Sequence, residues 1–368
     1  MTVATSDVCV VGGGPAGVAA AVAAARGGLQ VVLVDRGQFP RPKVCGGCLN
    51  GRALAILDRL GLTNTLAHAT STSQFRLGYL GRSTTVGLPT GAALSRLAWD
   101  VAMLDAAAEA GVTVCTGTTA TLEPCSDSAA VRSLTLTHNQ HETTHRTRVV
   151  VAADGLTQSA TRAERTLRTH LVDGSRIGAG CLLNEDSDDY PAGCIHMATA
   201  NEGYVGLVRV EANRLNVAAA LDPAAVRSGS LANATAGILQ AAGWPVPTNW
   251  QTADWTGTPP LTRSTPAPVA WRVATIGDAA GYVEPFTGEG MAWALASGEA
   301  LGTRLPDWIR TPTAMQTNWP GVYRDVVSRR RTVCRALAYT LRRPRLCRAV
   351  FPLAGLLVKP ATHLMNRH

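Results

Sequence analysis

The chain has 368 residues, 46% of them hydrophobic and 16% charged, which excludes a disordered or fibrous protein and leaves room for a large core around a ligand. The formal charge of +8 is unevenly placed: residues 321–368 hold eleven Lys and Arg against Asp325, while residues 1–320 carry a net charge of −2. A generally basic, nucleic-acid-coating surface is therefore excluded, and no aromatic platform is interleaved with the tail arginines. Nine scattered cysteines without a repeat, no charged and apolar leader, and no apolar run near 18 residues point to a reducing, cytoplasmic location rather than a disulfide framework or a membrane span.

The first element is an apolar strand, Val8 to Val11, that runs into Gly12-Gly-Gly14-Pro-Ala-Gly17 and an Ala-rich helix. A second strand, Gln30 to Val34, ends on Asp35. Strand, glycines, helix, strand and acid in register make a dinucleotide-binding unit. Gly12 serves the tight turn, Gly14 close approach to a pyrophosphate and Gly17 helix–strand packing, with Pro15 suited to the first helical position.

"KVCGGCLN" (43–50) follows. Cys45 and Cys48 admit three readings at this point: a redox disulfide, half of a metal site, or thiols in a Gly-rich loop against a cofactor. Metal is disfavoured, because no second Cys/His pair stands at ligand spacing. A disulfide relay would need a second nucleotide-binding domain, and Gly178-Ala-Gly180 lacks the third glycine and a following helix.

Residues 93–114 predict a helix with Ser95 as N-cap, Gly111 as C-terminal stop and an apolar face of Leu94, Leu97, Val101, Leu104 and Ala108. "VVVAADGL" (149–156) is a strand ending near Asp154. Residues 203–210 and 214–221 predict a hairpin about Glu211-Ala-Asn213, with "GSRIGAGCLL" and "GCIHMATA" as neighbours. His196 on an apolar strand reads as a core histidine, and "NEDSDDYP" as a solvated acidic turn. Residues 273–302 give a strand, Gly277-Asp278, a Gly-rich loop and a helix starting near Gly290.

With these segments together the chain resembles the flavoprotein superfamily of para-hydroxybenzoate hydroxylase and, more closely, the geranylgeranyl reductase group. The resemblance implies an α/β fold: a Rossmann-like FAD-binding domain of the glutathione-reductase type 2 family (1–165 plus 265–305, with 71–90 as a substrate-side excursion), an inserted antiparallel-sheet substrate domain (166–264) and a basic helical C-terminal region (306–368). It implies FAD contacts from Gly12, Gly14, Ala16, Gly17, Asp35, Arg36, Lys43, Cys45, Gly46, Arg96, Ala120 (to adenine, through backbone), Asp154, Gly277, Asp278 (to the ribityl chain), Gly288, Gly290 and Met291. It favours the cofactor-loop reading of Cys45 and Cys48, which with Tyr204 are the catalytic candidates. Two departures stand out. Ser159 and Arg162 follow the Asp154-Gly155 motif one residue later than in the family, and Gly206 replaces the tryptophan of its Gly-Tyr-x-Trp segment, which predicts a roomier pocket.

The implied activity is an FAD-dependent oxidoreductase taking electrons from NAD(P)H or a reduced carrier and acting on a hydrophobic small molecule, a lipid, isoprenoid or polyketide. The alternatives are a monooxygenase hydroxylating a phenol or polyketide and a dithiol/disulfide oxidoreductase. A halogenase is disfavoured by the absence of a Trp-x-Trp-x-Ile-Pro string. The tail carries apolar residues at helical spacing between arginines, which suits either packed amphipathic helices or peripheral contact with an anionic membrane or acidic carrier. No metal and no nucleic acid are expected.

Overall fold

The structure is a computed structural model, described over residues 4–126, 128–184, 187–227, 229–284, 289–328 and 331. In chain order its strands are β1 (Ala4–Val11), β2 (Val31–Val34), β3 (Cys48–Leu49), β4 (Thr70–Tyr79), β5 (Arg82–Ala93), β6 (Thr113–Cys115), β7 (Thr118–Leu122), β8 (Arg132–His138), β9 (His141–Ala152), β10 (His170–Leu171), β11 (Ile177–Leu183), β12 (Cys194–Ala200), β13 (Gly203–Arg209), β14 (Leu215–Leu221), β15 (Thr256–Pro260), β16 (Arg263–Ser264), β17 (Val269–Ala270) and β18 (Val273–Thr275). The helices are α1 (Pro15–Arg26), α2 (Gly51–Arg59), α3 (Arg96–Glu109), α4 (Pro223–Arg227), α5 (Leu231–Ala241), α6 (Gly290–Gly302), α7 (Leu305–Trp308) and α8 (Pro312–Tyr323).

The first sheet runs β17-β18-β9-β1-β2-β6, with β8 and β7 folded back on β9. Its centre is parallel, β1 pairing with β2 on one side and β9 on the other. Such strands are covered on both faces, which is why β1, β2 and the end of β9 read as unbroken Val-rich runs rather than alternating ones. The Ala-rich α1 is buried along nearly its whole length because α6 lies directly on it. A Cβ at Gly298 or Gly302 would fall 2.2 Å from the Ala16 carbonyl oxygen and 2.5 Å from that of Ala20, so small residues on both helices set the interaxial distance.

The second sheet runs β15-β11-β14-β13-β12-β4-β5-β3 and is antiparallel except where β12 meets β4. Thus residues 70–93 lie in the same sheet as the strands between 177 and 260. One face is covered by α5 and the Trp244 and Trp250 side chains, with Val205, Leu207, Ala198 and Val217 pointing into that core. On this side His196 is buried and meets the rings of Tyr190 and Trp244 edge-on at 5.2 and 5.9 Å. Burial above all holds it neutral, its pKa lowered to about 4. Tyr190 corrects the reading of "NEDSDDYP" as merely solvated: it is buried, and its hydroxyl donates to the Pro245 carbonyl at 2.5 Å.

Helix α3 differs from its predicted face. Leu97 and Val101 are half-buried and Ala108 is exposed, whereas Trp99, Asp100, Met103, Ala106 and Ala107 face inward. The rotation buries an ion pair, Arg96–Asp100, that an apolar-periodicity reading cannot anticipate. Ser95 is the N-cap, accepting from the Ala98 N–H, and Gly111 follows the C-cap Ala110 with φ +88°.

Candidate active site

Four parallel strands deliver loops to one edge of the first sheet. β1 leads into Gly12, β2 into Asp35, β9 into Asp154 and β18 into Gly277-Asp278, so residues far apart in sequence converge at the carboxyl ends of neighbouring strands. Gly12 has φ +118°, and a Cβ there would strike the Ala153 carbonyl oxygen at 2.3 Å; one at Gly17 would meet the Gly12 carbonyl oxygen at 1.9 Å. The turn is therefore closed to any other residue. Helix α1 begins after Gly14 with no side chain capping its N-terminus, leaving free N–H groups and a positive dipole end over the crevice. Ala16 lies under the Gly277 turn, 2.9 Å from where a Gly277 Cβ would stand.

Asp35 is buried and braces this turn. Its Oδ2 accepts from the Gly13 N–H and its Oδ1 from the Gly37 N–H, both at 2.7 Å, and Arg41 pairs with Oδ2 at 3.3 Å. Arg36 is exposed beside Asp154, on which its charge acts. Asp154 is raised in pKa by burial, and its Oδ2 accepts from the Ala160 N–H at 2.8 Å and the Ser159 hydroxyl at 3.4 Å. This carboxylate locks the turn that carries the one-residue departure, and Arg162 is left exposed on the outside. Ala120 is buried on β7 in register with Leu136, and its neighbour Thr118 donates from N–H to the Asp35 carbonyl at 3.0 Å.

Arg96, at the first position of α3, is 7% exposed and grips Asp100 through Nη2 at 2.8 Å. Burial opposes its charge, but Asp100 outweighs it and the pKa is raised. The Arg96 charge acts on Cys45, and its guanidinium lies 3.6 Å from the position of a Gly14 Cβ. Thus the arginine, the Cys45 loop and the glycine turn meet. Lys43 is accessible from the cleft yet walled by protein, which lowers its pKa together with Arg96 and Arg41, against Asp278 and Asp100. Nothing lies within 4 Å of where a Gly46 Cβ would stand, so the loop presents bare backbone.

The two thiols occupy different surroundings. Both are free. Cys45 faces Arg96 and Tyr282, with its carbonyl accepting from Asn216 Nδ2 at 2.9 Å. Cys48 opens β3, contacts the Ala93, Val208 and Val210 cluster and donates to the Gly46 carbonyl at 3.3 Å. The surrounding protein first, and Cys45 second, push its thiol up to about 12.

Asp278 is half-buried and raised in pKa by burial, opposed by Lys43, Arg331 and Arg96. Gly277 has φ +59° and donates from N–H to Ser297 at 3.0 Å. Helix α6 starts at Gly290, and Met291 is buried in the core behind it; Gly288 lies outside the described residues. Three further residues complete this region without a local sequence signal. Asn50 accepts from the Ala53 N–H and donates to Glu289 at 2.7 Å, joining the starts of α2 and α6. Glu211, in the hairpin turn of the second sheet, takes the Ser95 N–H at 2.9 Å and clamps the start of α3. Arg331, in the basic tail, is buried and donates to the Gly281 carbonyl. Residues 329–330 and 332–368 of that tail lie outside the described residues.

The second sheet turns its other face toward this edge. Leu77, Met197, Tyr204 and Ala220 form an apolar wall with Leu261, flanked by Phe75, Leu156 and Tyr282. Tyr204 is 8% exposed; its hydroxyl hydrogen-bonds Glu284, and Arg176 lies over its ring at 5.9 Å. Arg176 and Glu284 are themselves buried and paired at 3.3 Å. Burial and Glu284 keep the phenol protonated, its pKa well above the ordinary value. Gly206 is on the Tyr204 face, and Met197 leans toward it, its Cε 3.4 Å from where a Cβ would stand. A flexible thioether thus borders the space expected to be vacant.

FAD fits these residues: the uncapped α1 N-terminus and Gly14 for the pyrophosphate, Asp35 for a ribose, Arg96, Lys43 and Gly46 along its length, and Asp278 and the α6 N-terminus at the far end. The fold and the site define a flavin-dependent oxidoreductase. Residues 7–199 match the family model "FAD dependent oxidoreductase", and the chain belongs to this family. It is 30% identical over 385 residues to a menaquinone reductase of Mycobacterium tuberculosis, covering 98% of this chain and 89% of that protein. Among solved structures it is similar to a geranylgeranyl bacteriochlorophyll reductase-like protein of Thermoplasma acidophilum (TM-score 0.72, 21% identity, 89% of this chain and 84% of that one). It is also similar to the flavin-dependent halogenase CmlS (TM-score 0.73, 21% identity, 88% of this chain), of whose length it spans 62%. Among the described residues no helix is long and apolar enough to cross a membrane, and no cluster of metal-ligating side chains occurs.

Proposed function

We propose that this oxidoreductase reduces a carbon–carbon double bond in a hydrophobic, polyprenyl-bearing lipid. The observation that carries the reading is the apolar wall of Leu77, Met197, Ala220 and Leu261 with one neutral phenol, Tyr204, set in it. A nonpolar chain gains by burial there, on the order of 25 cal/mol per Å² of apolar surface. Bound FAD, when reduced, supplies a hydride equivalent; Tyr204 holds the proton that the second carbon requires, at its phenolic oxygen. The name of the 30% identical relative, a reductase of a quinone that carries a polyprenyl chain, supports the same substrate class. The described residues contain one parallel nucleotide-binding sheet, so NAD(P)H or a reduced carrier would deliver electrons transiently, without a second dinucleotide domain.

The test is anaerobic turnover of a menaquinone with a short prenyl chain, followed by mass spectrometry. With FAD reduced beforehand by dithionite, the expected product still carries two extra hydrogens after its quinone ring has been reoxidised in air, which places them in the prenyl chain, and it forms without oxygen. Substrate-stimulated consumption that requires oxygen, with a product one oxygen heavier, would assign the chain to the hydroxylating branch instead.

A further inference from the structure

Leu171 and Val172 are 54% and 41% exposed, and with Leu80 they are the large hydrophobic side chains that the described residues leave most open to water. They sit together at the end of β10, and the segment leading to them exposes Arg162, Arg165 and Arg168. The acids nearby are Asp173 and Glu164, and Glu164 is ion-paired with Arg132 at 3.5 Å. Two exposed apolar side chains thus follow three exposed arginines within eleven residues of chain.

This surface is held rigidly beside the site. Gln158 donates to the Leu167 carbonyl at 3.0 Å and the Ala279 carbonyl at 2.7 Å, and its Oε1 accepts from Thr169. The segment is thereby tied to the turn that carries Asp278. Arg168 closes it by donating to the Arg162 carbonyl at 2.9 Å. Leu171 pairs with Arg263 across β10 and β16, and Arg263 exchanges two backbone bonds of 2.9 Å with Tyr282. Tyr282 flanks the apolar wall around Tyr204. The segment is therefore one strand away from the lining of the substrate pocket.

We infer that residues 162–172 form a docking surface for an anionic lipid bilayer, with Leu171 and Val172 inserted among the headgroups and acyl chains and Arg162, Arg165 and Arg168 on the phosphates. Exposed apolar side chains on the same segment as exposed arginines match a membrane interface in chemistry and sign of charge. Docking in this orientation turns the edge at Tyr282 toward the bilayer that holds a polyprenyl substrate. The use of the surface rests on the proposed lipid reduction; binding to vesicles does not.

The experiment is flotation of the full-length, FAD-loaded protein with vesicles of phosphatidylcholine alone or with phosphatidylglycerol, for wild type, L171E/V172E and R165E/R168E. Wild type should float with the phosphatidylglycerol vesicles and be released by salt. Each double variant should partition at least tenfold less, since an interfacial arginine contributes roughly fivefold, while keeping wild-type FAD content and flavin reduction in solution. Variants that float as well as wild type would show that other residues, such as the tail arginines, do the docking and would overturn the inference. Indifference of wild type to both vesicles, or capture only by an acidic protein, would overturn it equally. Normal flotation with no lipid reduction would instead count against the proposed reaction and leave the docking surface standing.

Discussion

Arg331 donates through Nη2 to the Gly281 carbonyl oxygen at 2.7 Å, so a residue beyond α8 reaches the loop that follows Asp278. The guanidinium also lies 5.6 Å from the ring centres of Trp293 and Tyr323, and the Tyr323 hydroxyl donates to the Ala280 carbonyl at 3.1 Å. Arg331 thus braces the loop that follows the candidate cofactor residue Asp278. Arg331→Gln should weaken FAD binding roughly tenfold, because a hydrogen bond from a charged group contributes about 1.5–3 kcal/mol, and Arg331→Lys should recover part of it. Fluorescence titration of the apoprotein with FAD measures both. Equal affinity in all three proteins would remove Arg331 from the site.

Asp278 gives a pH-dependent prediction. Its folded pKa lies above the ordinary carboxylate value, so the folded apoprotein holds the proton more tightly than the unfolded chain. That contribution favours folding below the unfolded pKa and is lost as pH rises through the folded one. Asp278→Asn should therefore raise the apoprotein Tm at pH 7, with the advantage shrinking on acidification toward the ordinary carboxylate range, yet reduce retention of FAD. Thermal melts across pH, paired with the ratio of bound flavin to protein, check the two halves separately.

The buried Arg96–Asp100 pair should be intolerant of half-removal. Asp100→Asn leaves the guanidinium, 7% exposed, without its counter-charge, and breaking such a pair costs about 3–5 kcal/mol. Urea denaturation should register that loss, and FAD affinity should fall with it.

Cys48 should be a poor nucleophile. With its thiol pushed up to about 12, the thiolate fraction at neutral pH is negligible. Labelling by iodoacetamide at pH 7 should leave it largely unmodified, and Cys48→Ser should retain turnover and FAD. Complete loss of turnover with flavin still bound would revive the dithiol reading.

Gly206→Trp tests the pocket wall. A Cβ there has room, 3.4 Å from the flexible end of Met197, but an indole would project along the Tyr204 face. The variant should fold and keep FAD while losing long-chain substrates more than short ones, read as KM against chain length.

The cofactor half of the site was legible because its chemistry is local. Gly12 to Gly17 and Asp35 fall within one βαβ unit, where the tight turn and the free helix end follow from neighbouring residues. Gly277-Asp278 announced itself as a strand followed by a Gly-rich turn. Helix α3 was found but misrotated, since its inward face is set by Arg96 and Asp100 rather than by apolar spacing.

What the sequence by itself determined is therefore the nucleotide-binding unit, the parallel sheet with its acids at strand ends and one hairpin of the second sheet. Only the tertiary structure decided which distant groups complete the site: Glu211 on Ser95, Asn50 on Glu289 and Arg331 on Gly281, separated by 116, 239 and 50 residues. The same is true of Tyr204, whose neutral state depends first on burial and then on Glu284. Periodicity and turn chemistry report on contacts within a few residues. A buried polar side chain is placed by whatever partner the fold brings to it, and satisfying that partner, not any local pattern, fixes its role.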